Sequence, residues 1–201
     1  MKAAIVEAAG LAPVFGEFDM PAAGPGQALV KVRAAAISHV TRHRAAGTHY
    51  SSAAGDARFV PGVDGVGVTA DGRRVYFLMP TAPFGAMAET CVVEERQLIA
   101  LPDGLGDDEA AALAIPAMSS WAALKERAGF KPGETVLVNG ATGASGRLAI
   151  QVARHLGAGK VIATGRKTAA FDDLKRLGAD ATLALGDDAD AMETAFKREF
   201  R

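Results

Sequence analysis

The chain has 201 residues, 49% of them apolar, and 22 basic against 23 acidic side chains for a net charge of −1. That is enough for one large or two small domains with a real core, and it gives no electrostatic case for nucleic acid or an anionic membrane as partner. The single cysteine, Cys91, excludes an internal disulfide and a cysteine-based zinc cluster.

The opening MKAAIVEAAG carries Glu7 early and lacks a long apolar core, so it does not read as a secretory signal. The most apolar stretch, residues 110–124, is interrupted by Pro116, Ser119 and Ser120, and is too short and broken to span a bilayer. The expectation is a soluble chain in a reducing, cytoplasmic setting.

Residues 1–100 read as β-rich. Strands are expected over 3–6 and 28–33, a short helix over 39–46 ended by Gly47, and further strands over 74–77 and 88–93. The stretch VPGVDGVG, residues 60–67, is punctuated with glycine as a barrel strand is where it bends. Short strands with turn signals at this spacing predict a small barrel, and Cys91 on one of them reads as a small buried apolar group. The loop LPDGLG, residues 101–106, is the candidate boundary between a domain over 1–106 and one over 107–201. A helical region begins at Asp107, and Pro116 is expected to start a second helix running to about residue 128, with Trp121 in the core.

The second half is organised around TVLVNGATGASGRLAIQVARHLGAGKVIATGR, residues 135–166. Thr135, Val136, Leu137 and Val138 read as a fully buried strand. The turn 139–146 follows, then Leu148, Ile150, Val152 and Leu156 at helical spacing up to Gly157, then a strand at 161–163. This is a βαβ unit with a glycine-rich turn. Gly140 and Gly143 let the backbone turn and approach a ligand, and Gly146 lets the helix pack close to the strand. A pyrophosphate fits the free N–H groups of the helix that starts there, so Gly140, Ala141, Thr142, Gly143, Ala144, Ser145 and Gly146 are candidate cofactor residues. The alternative is an ordinary tight turn in an α/β domain.

An NAD site places an acid about 20 residues past the glycines. Here that position reads Thr164, Gly165, Arg166, Lys167, Thr168, and the next acid is Asp172. Two cations and two hydroxyls suit a ribose 2′-phosphate, with Arg166 as bidentate partner, so NADP(H) is the expected cofactor. The alternative for Arg166 and Lys167 is a solvated strand end. A helix over 168–177 stopped by Gly178, a strand over 181–185 and a helix over 187–200 complete the chain.

The chain resembles the medium-chain dehydrogenase/reductase superfamily in its zinc-free quinone-oxidoreductase branch. The resemblance rests on MKAAIVEAAG, PGVDGVG, LPDGLGDDEAAAL, PAMSSWAAL and KPGETVLVNGATGASG in that order. It implies an α/β protein with an N-terminal GroES-like β-barrel followed by a Rossmann dinucleotide-binding domain, reducing a quinone, enone or other activated carbonyl with NADPH. Zinc-dependent relatives hold their metal with Cys and His; Ser38 and Val63 stand at those places, so no metal is expected. His39 and His43, spaced i, i+4, invite a metal, but no nearby Cys or acid completes a set. The resemblance also implies that Tyr50 faces the substrate as a hydroxyl donor, with His49 next to it as the alternative register, and that Ser119 contacts the cofactor. The alternatives are a surface aromatic for Tyr50 and, for Ser119 and its neighbour Ser120, helix capping or back-bonding to the chain.

A dinucleotide-binding sheet has six strands. Only three are legible here, so the Rossmann domain is expected to be incomplete. A fragment of a longer enzyme, a truncated product, or a sheet completed by a second copy in a homo-oligomer all remain open. The leading reading is an NADPH-dependent oxidoreductase acting on a small molecule. The alternative is a nucleotide-binding interaction protein without catalysis. The short-chain reductases share a GATGASG-like turn, but their Tyr-x-x-x-Lys pair after it is absent.

Overall fold

The computed structural model describes residues 1–8, 10–50 and 58–200. Ala9 of the opening motif therefore lies outside the described residues. The chain divides into two compact units, Met1–Ala112 and Leu113–Arg201.

The first unit holds β1 (Lys2–Ile5), β2 (Val14–Glu17), β3 (Gln27–Ala34), α1 (His39–Ala45), β4 (Asp64–Thr69), β5 (Arg74–Leu78), β6 (Thr90–Glu94) and β7 (Leu98–Ala100). Five strands form one antiparallel sheet in the order β6-β3-β4-β5-β7, while β1 and β2 form a separate antiparallel ribbon. Single bridges, Ala3 to Ala88 and Val6 to Phe59, tie the ribbon to the rest. The strands expected to make a small barrel are thus shared between a sheet and a ribbon. The irregularity in this pairing lies not in the glycine-punctuated segment 60–67 but in its partner: the register of β3 shifts between Val32 and Ala34, opposite Gly67 and Val66.

Alternation along the strands builds the core. Val30, Val75, Phe77, Cys91 and Val93 are buried on the five-stranded sheet, and Ala3, Ile5, Phe18 and Val60 form a second cluster under the ribbon. Each fully buried Val, Ile or Phe contributes about 1.5–3 kcal/mol from area removed from water. Cys91 is fully buried, as its strand position predicts, and burial pushes its thiol up to about 12.

Two short strands escape the sequence reading. Both β2 and β7 are too short to show a period, and pairing with β1 and β5 makes them strands. Lys2 and Glu17 form an ion pair across the ribbon.

A single helix, α2 (Asp107–Trp121), replaces the two expected on either side of Pro116. The proline sits inside it and removes one backbone donor without ending the helix. The helix then widens into a π-turn over Ala122–Arg127. Arg74 fastens its start, donating from Nε to Asp107 Oδ1 at 2.7 Å and from Nη1 to the Pro102 carbonyl at 3.2 Å. The division between the two units falls within α2, just past the loop 101–106. Trp121 is 43% exposed instead of in the core, with its ring 6.0 Å from that of His155.

The second unit continues with β8 (Thr135–Val138), α3 (Ala144–His155), β9 (Lys160–Gly165), a 3₁₀ turn over Thr168–Ala170, α4 (Phe171–Arg176), β10 (Ala181–Ala184) and α5 (Ala189–Glu199). The three strands are parallel in the order β10-β9-β8, the order of one half of a dinucleotide-binding sheet. Val138, Ile150, Ala153, Val161, Ala163 and Leu174 form its core. All of β9 beyond Lys160 is buried, because it is the central strand. The expected full burial of β8 does not hold. Only Val138 is buried and Leu137 is 43% exposed, because β8 takes the edge and, among the described residues, pairs with β9 and no other strand.

Among the described residues, no helix is long and apolar enough to cross a membrane.

Candidate functional site

The turn 139–146 joins β8 to α3 and lies at the carboxyl ends of the parallel strands, where open α/β sheets bind ligands. Gly140 has φ +72°, a left-handed conformation that favours glycine. The next residue is locked to the sheet: Ala141 is fully buried and its N–H donates to the Thr164 carbonyl at 2.8 Å. Gly146 faces this point from the first turn of α3. A Cβ there would lie 2.5 Å from the Gly140 oxygen and 2.6 Å from the Ala141 Cα, so the helix can approach only because that atom is missing.

Gly143 is the N-cap of α3, and no side chain caps it. It has open space: an added Cβ would meet only the Gly140 oxygen, at 3.8 Å. Gly143, Ala144 and Ser145 are all exposed, and the first turn of α3 carries no acid. The helix therefore presents unsatisfied backbone N–H groups and its positive end to solvent. An anion there gains roughly 0.3–1 kcal/mol from the dipole besides its hydrogen bonds. This is a cradle that fits a pyrophosphate.

The end of β9 completes it. Gly165 is buried against Thr142, where a Cβ would come within 2.8 Å of Thr142 Cγ2. Arg166 and Lys167 follow, both exposed and without an ion pair among the described residues. Their cationic heads are available to a phosphate. Thr164 is different from its expected role. It is 1% exposed, and its hydroxyl donates to Asn139 Oδ1 at 2.8 Å. That bond ties the ends of β8 and β9 together. Asn139 was legible only as a turn residue, because its partner lies on the next strand.

Ser119 lies inside α2 instead of opening a helix, and its hydroxyl donates to the Ile115 carbonyl at 3.4 Å, the back-bonding alternative. Tyr50 belongs to the first unit, after α1. It is 96% exposed, with its ring 4.2 Å from that of His49.

Ser38 caps α1: its Oγ accepts from the Thr41 N–H at 3.2 Å and donates to Thr41 Oγ1 at 3.1 Å. Val63 is buried. The His39 and His43 rings stand edge to face, 6.3 Å apart. Among the described residues no group of three or more His, Cys, Asp or Glu is placed to hold a metal ion.

One buried polar pair lies in the same unit. Tyr76 donates its hydroxyl to Asp64 Oδ2 at 2.9 Å, while Asp64 Oδ1 is buried without a hydrogen bond among the described residues. Burial pushes the Asp64 carboxyl above the usual carboxylate range, and the Tyr76 bond only partly opposes it. Burial, with the Asp64 charge beside it, also raises the Tyr76 hydroxyl.

Comparison with known proteins shows what the chain is similar to. No protein-family model matches the chain. It is 33% identical over 205 aligned positions to "Probable NADPH-dependent quinone reductase tdiC" of Emericella nidulans, covering 87% of this chain and 57% of that protein. Its similarity to the 2-methylene-furan-3-one reductase of Solanum lycopersicum is 36% over 174 positions, 78% of this chain and 44% of that one. The quinone oxidoreductase of Thermus thermophilus, solved also in complex with NADPH, superposes with a TM-score of 0.85 at 32% identity, over 99% of this chain and 64% of that one.

Its relatives are quinone reductases and related members of the medium-chain dehydrogenase/reductase superfamily, which the chain resembles over most of its length. Within that superfamily its relatives include quinone oxidoreductases, and it spans about half the length of the curated relatives it matches. The shared fold is α/β, an antiparallel half-barrel sheet and a parallel sheet.

Proposed function

We propose that the chain is the barrel side and first nucleotide-binding half of an NADPH-dependent oxidoreductase that reduces a quinone, enone or other activated carbonyl. The observation that carries this reading is the cradle of the second unit: an uncapped α3, the open Gly143, and free Arg166 and Lys167 beside it. Relatives named for NADPH-dependent quinone reduction and for reduction of a methylene-furanone support it.

In this reading the turn from Gly140 to Gly146 holds the pyrophosphate by backbone N–H groups, and Gly165 lets the end of β9 stay close to it. Arg166 takes the 2′-phosphate, Lys167 adds charge, and Thr164 acts through Asn139 by fixing the strand ends. The nicotinamide held there would supply a hydride when bound. Tyr50 donates a hydrogen bond to the substrate oxygen as it gains charge. Ser119 lines the nucleotide side.

The reading is zinc-free. Ser38 spends its oxygen on the α1 cap and Val63 has no donor atom, so neither can replace a thiolate or imidazole ligand. The first unit is read as a GroES-like barrel, a cytoplasmic setting suits the buried free thiol of Cys91, and the exposed edge of β8 favours self-association. A monomer by light scattering would remove the last of these.

The test is a calorimetric titration of the 201-residue chain with NADPH and, in parallel, NADH. Binding that favours NADPH supports the reading. Absence of binding by either nucleotide would sink it for this chain.

A further inference from the structure

The first unit contains a cavity of about 270 Å³ whose charged lining residues, among the described residues, are both cationic. It lies between the end of α1, the segment leading into β4, and the loop after β5. Phe59, Val63, Pro80 and Phe84 give it an apolar lining, and Arg44 and Arg58 are its charged residues.

The two arginines are in different states. Arg58 donates from Nε to Glu7 Oε1 at 3.1 Å and from Nη2 to the Glu17 carbonyl at 2.7 Å, and its guanidinium lies 5.0 Å from the Phe18 ring centre. Its charge is balanced and its plane is fixed. Arg44 is half-buried near the end of α1, and its guanidinium has no hydrogen bond or ion pair among the described residues. A partly desolvated guanidinium without a counter-ion, beside an apolar wall, is the half-made form of a charge-assisted bond.

The wall is also preformed. Backbone bonds clamp the loop to the segment before β4: Val60 N–H to the Pro83 carbonyl at 2.9 Å, Ala86 N–H to the Gly62 carbonyl at 3.0 Å and Met87 N–H to the Pro61 carbonyl at 2.9 Å. Such a wall has little ordering entropy left to lose when something binds.

We infer that this cavity is a binding site for a small, flat, apolar molecule bearing one carboxylate, with Arg44 receiving the anion. A phosphate would want several donors, and one free guanidinium in an apolar pocket of this size suits a monovalent planar anion better. The inference is independent of the nucleotide reading. It concerns the first unit only, and its titrations are run without nucleotide, so either reading can fail while the other stands.

The probes are cinnamate and the neutral cinnamamide, titrated calorimetrically into the 201-residue chain near pH ~7, where the carboxylate is ionised. The expected result is that cinnamate binds about tenfold more tightly than cinnamamide. Arg44→Met abolishes that preference while cinnamamide affinity holds, and Arg44→Lys keeps part of it. Equal affinity for the two probes in the unaltered chain, no binding of either, or a preference that survives Arg44→Met overturns the inference. If Arg44→Met loses both probes, Arg44→Lys decides: a retained preference supports the site and a lost one overturns it.

Discussion

Gly146 and Ala141 approach so closely that a Cβ on the glycine would stand 2.6 Å from the Ala141 Cα. This contact sets the height of α3 above the end of β8, and with it the place where the free N–H groups of the helix point. Gly146→Ala therefore pushes the helix away or deforms the turn. Stability should fall by about 1–3 kcal/mol, and NADPH affinity should fall with it. Urea unfolding alongside a nucleotide titration measures both. Undiminished stability would show that the turn has room to spare.

Arg166 is exposed and unpaired among the described residues, so removing it breaks no internal contact. Arg166→Ala should cost NADPH about 1.5–3 kcal/mol of binding, the worth of a hydrogen bond to a charged group, and leave NADH nearly unchanged. Equal losses for both nucleotides would take the 2′-phosphate role away from it.

Tyr50 has an exposed ring that packs on His49. Tyr50→Phe keeps the ring and removes the hydroxyl. Turnover of a quinone should fall roughly tenfold to a hundredfold, at or somewhat below the range for loss of one oxyanion donor, with cofactor affinity intact. An unaltered rate would return Tyr50 to the surface.

Asp64 is buried beside Tyr76, and burial holds its carboxyl above its ordinary range. The folded state therefore keeps the proton more strongly than the unfolded chain. Stability falls as pH rises from the ordinary carboxylate value through the raised folded one, and the loss is complete above it. Asp64→Asn can still accept from Tyr76 and carries no charge. Its melting temperature should gain on the unaltered protein between pH ~4 and pH ~7, by on the order of 2–4 °C per kcal/mol of relieved penalty. Parallel curves for the two proteins across that range would refute the linkage.

Much of this molecule is legible in its sequence, for local reasons. The turn 139–146 could be read because a buried-type strand, three glycines and an amphipathic helix each carry their own signal within a short window. So could α1, stopped at Gly47, and α4, stopped at Gly178. The end of β9 reads as a phosphate site because charge type is a property of residues. Burial and pairing are not. Leu137 has the composition of a core strand, yet it is exposed because β8 takes the sheet edge. Pro116 carries a local break signal, yet α2 runs through it. Trp121 looks like core and is half-exposed. Thr164 looks like a free hydroxyl until Asn139, 25 positions earlier, accepts its proton at 2.8 Å. The unpaired Arg44 beside the paired Arg58 has no sequence signal at all, since both are single arginines in mixed surroundings. Sequence by itself determined the elements with a strong local signal and the chemistry each could offer. Tertiary structure decided which side chains were already spent on one another, because hydrogen-bond partners and strand edges are assigned only when distant segments meet.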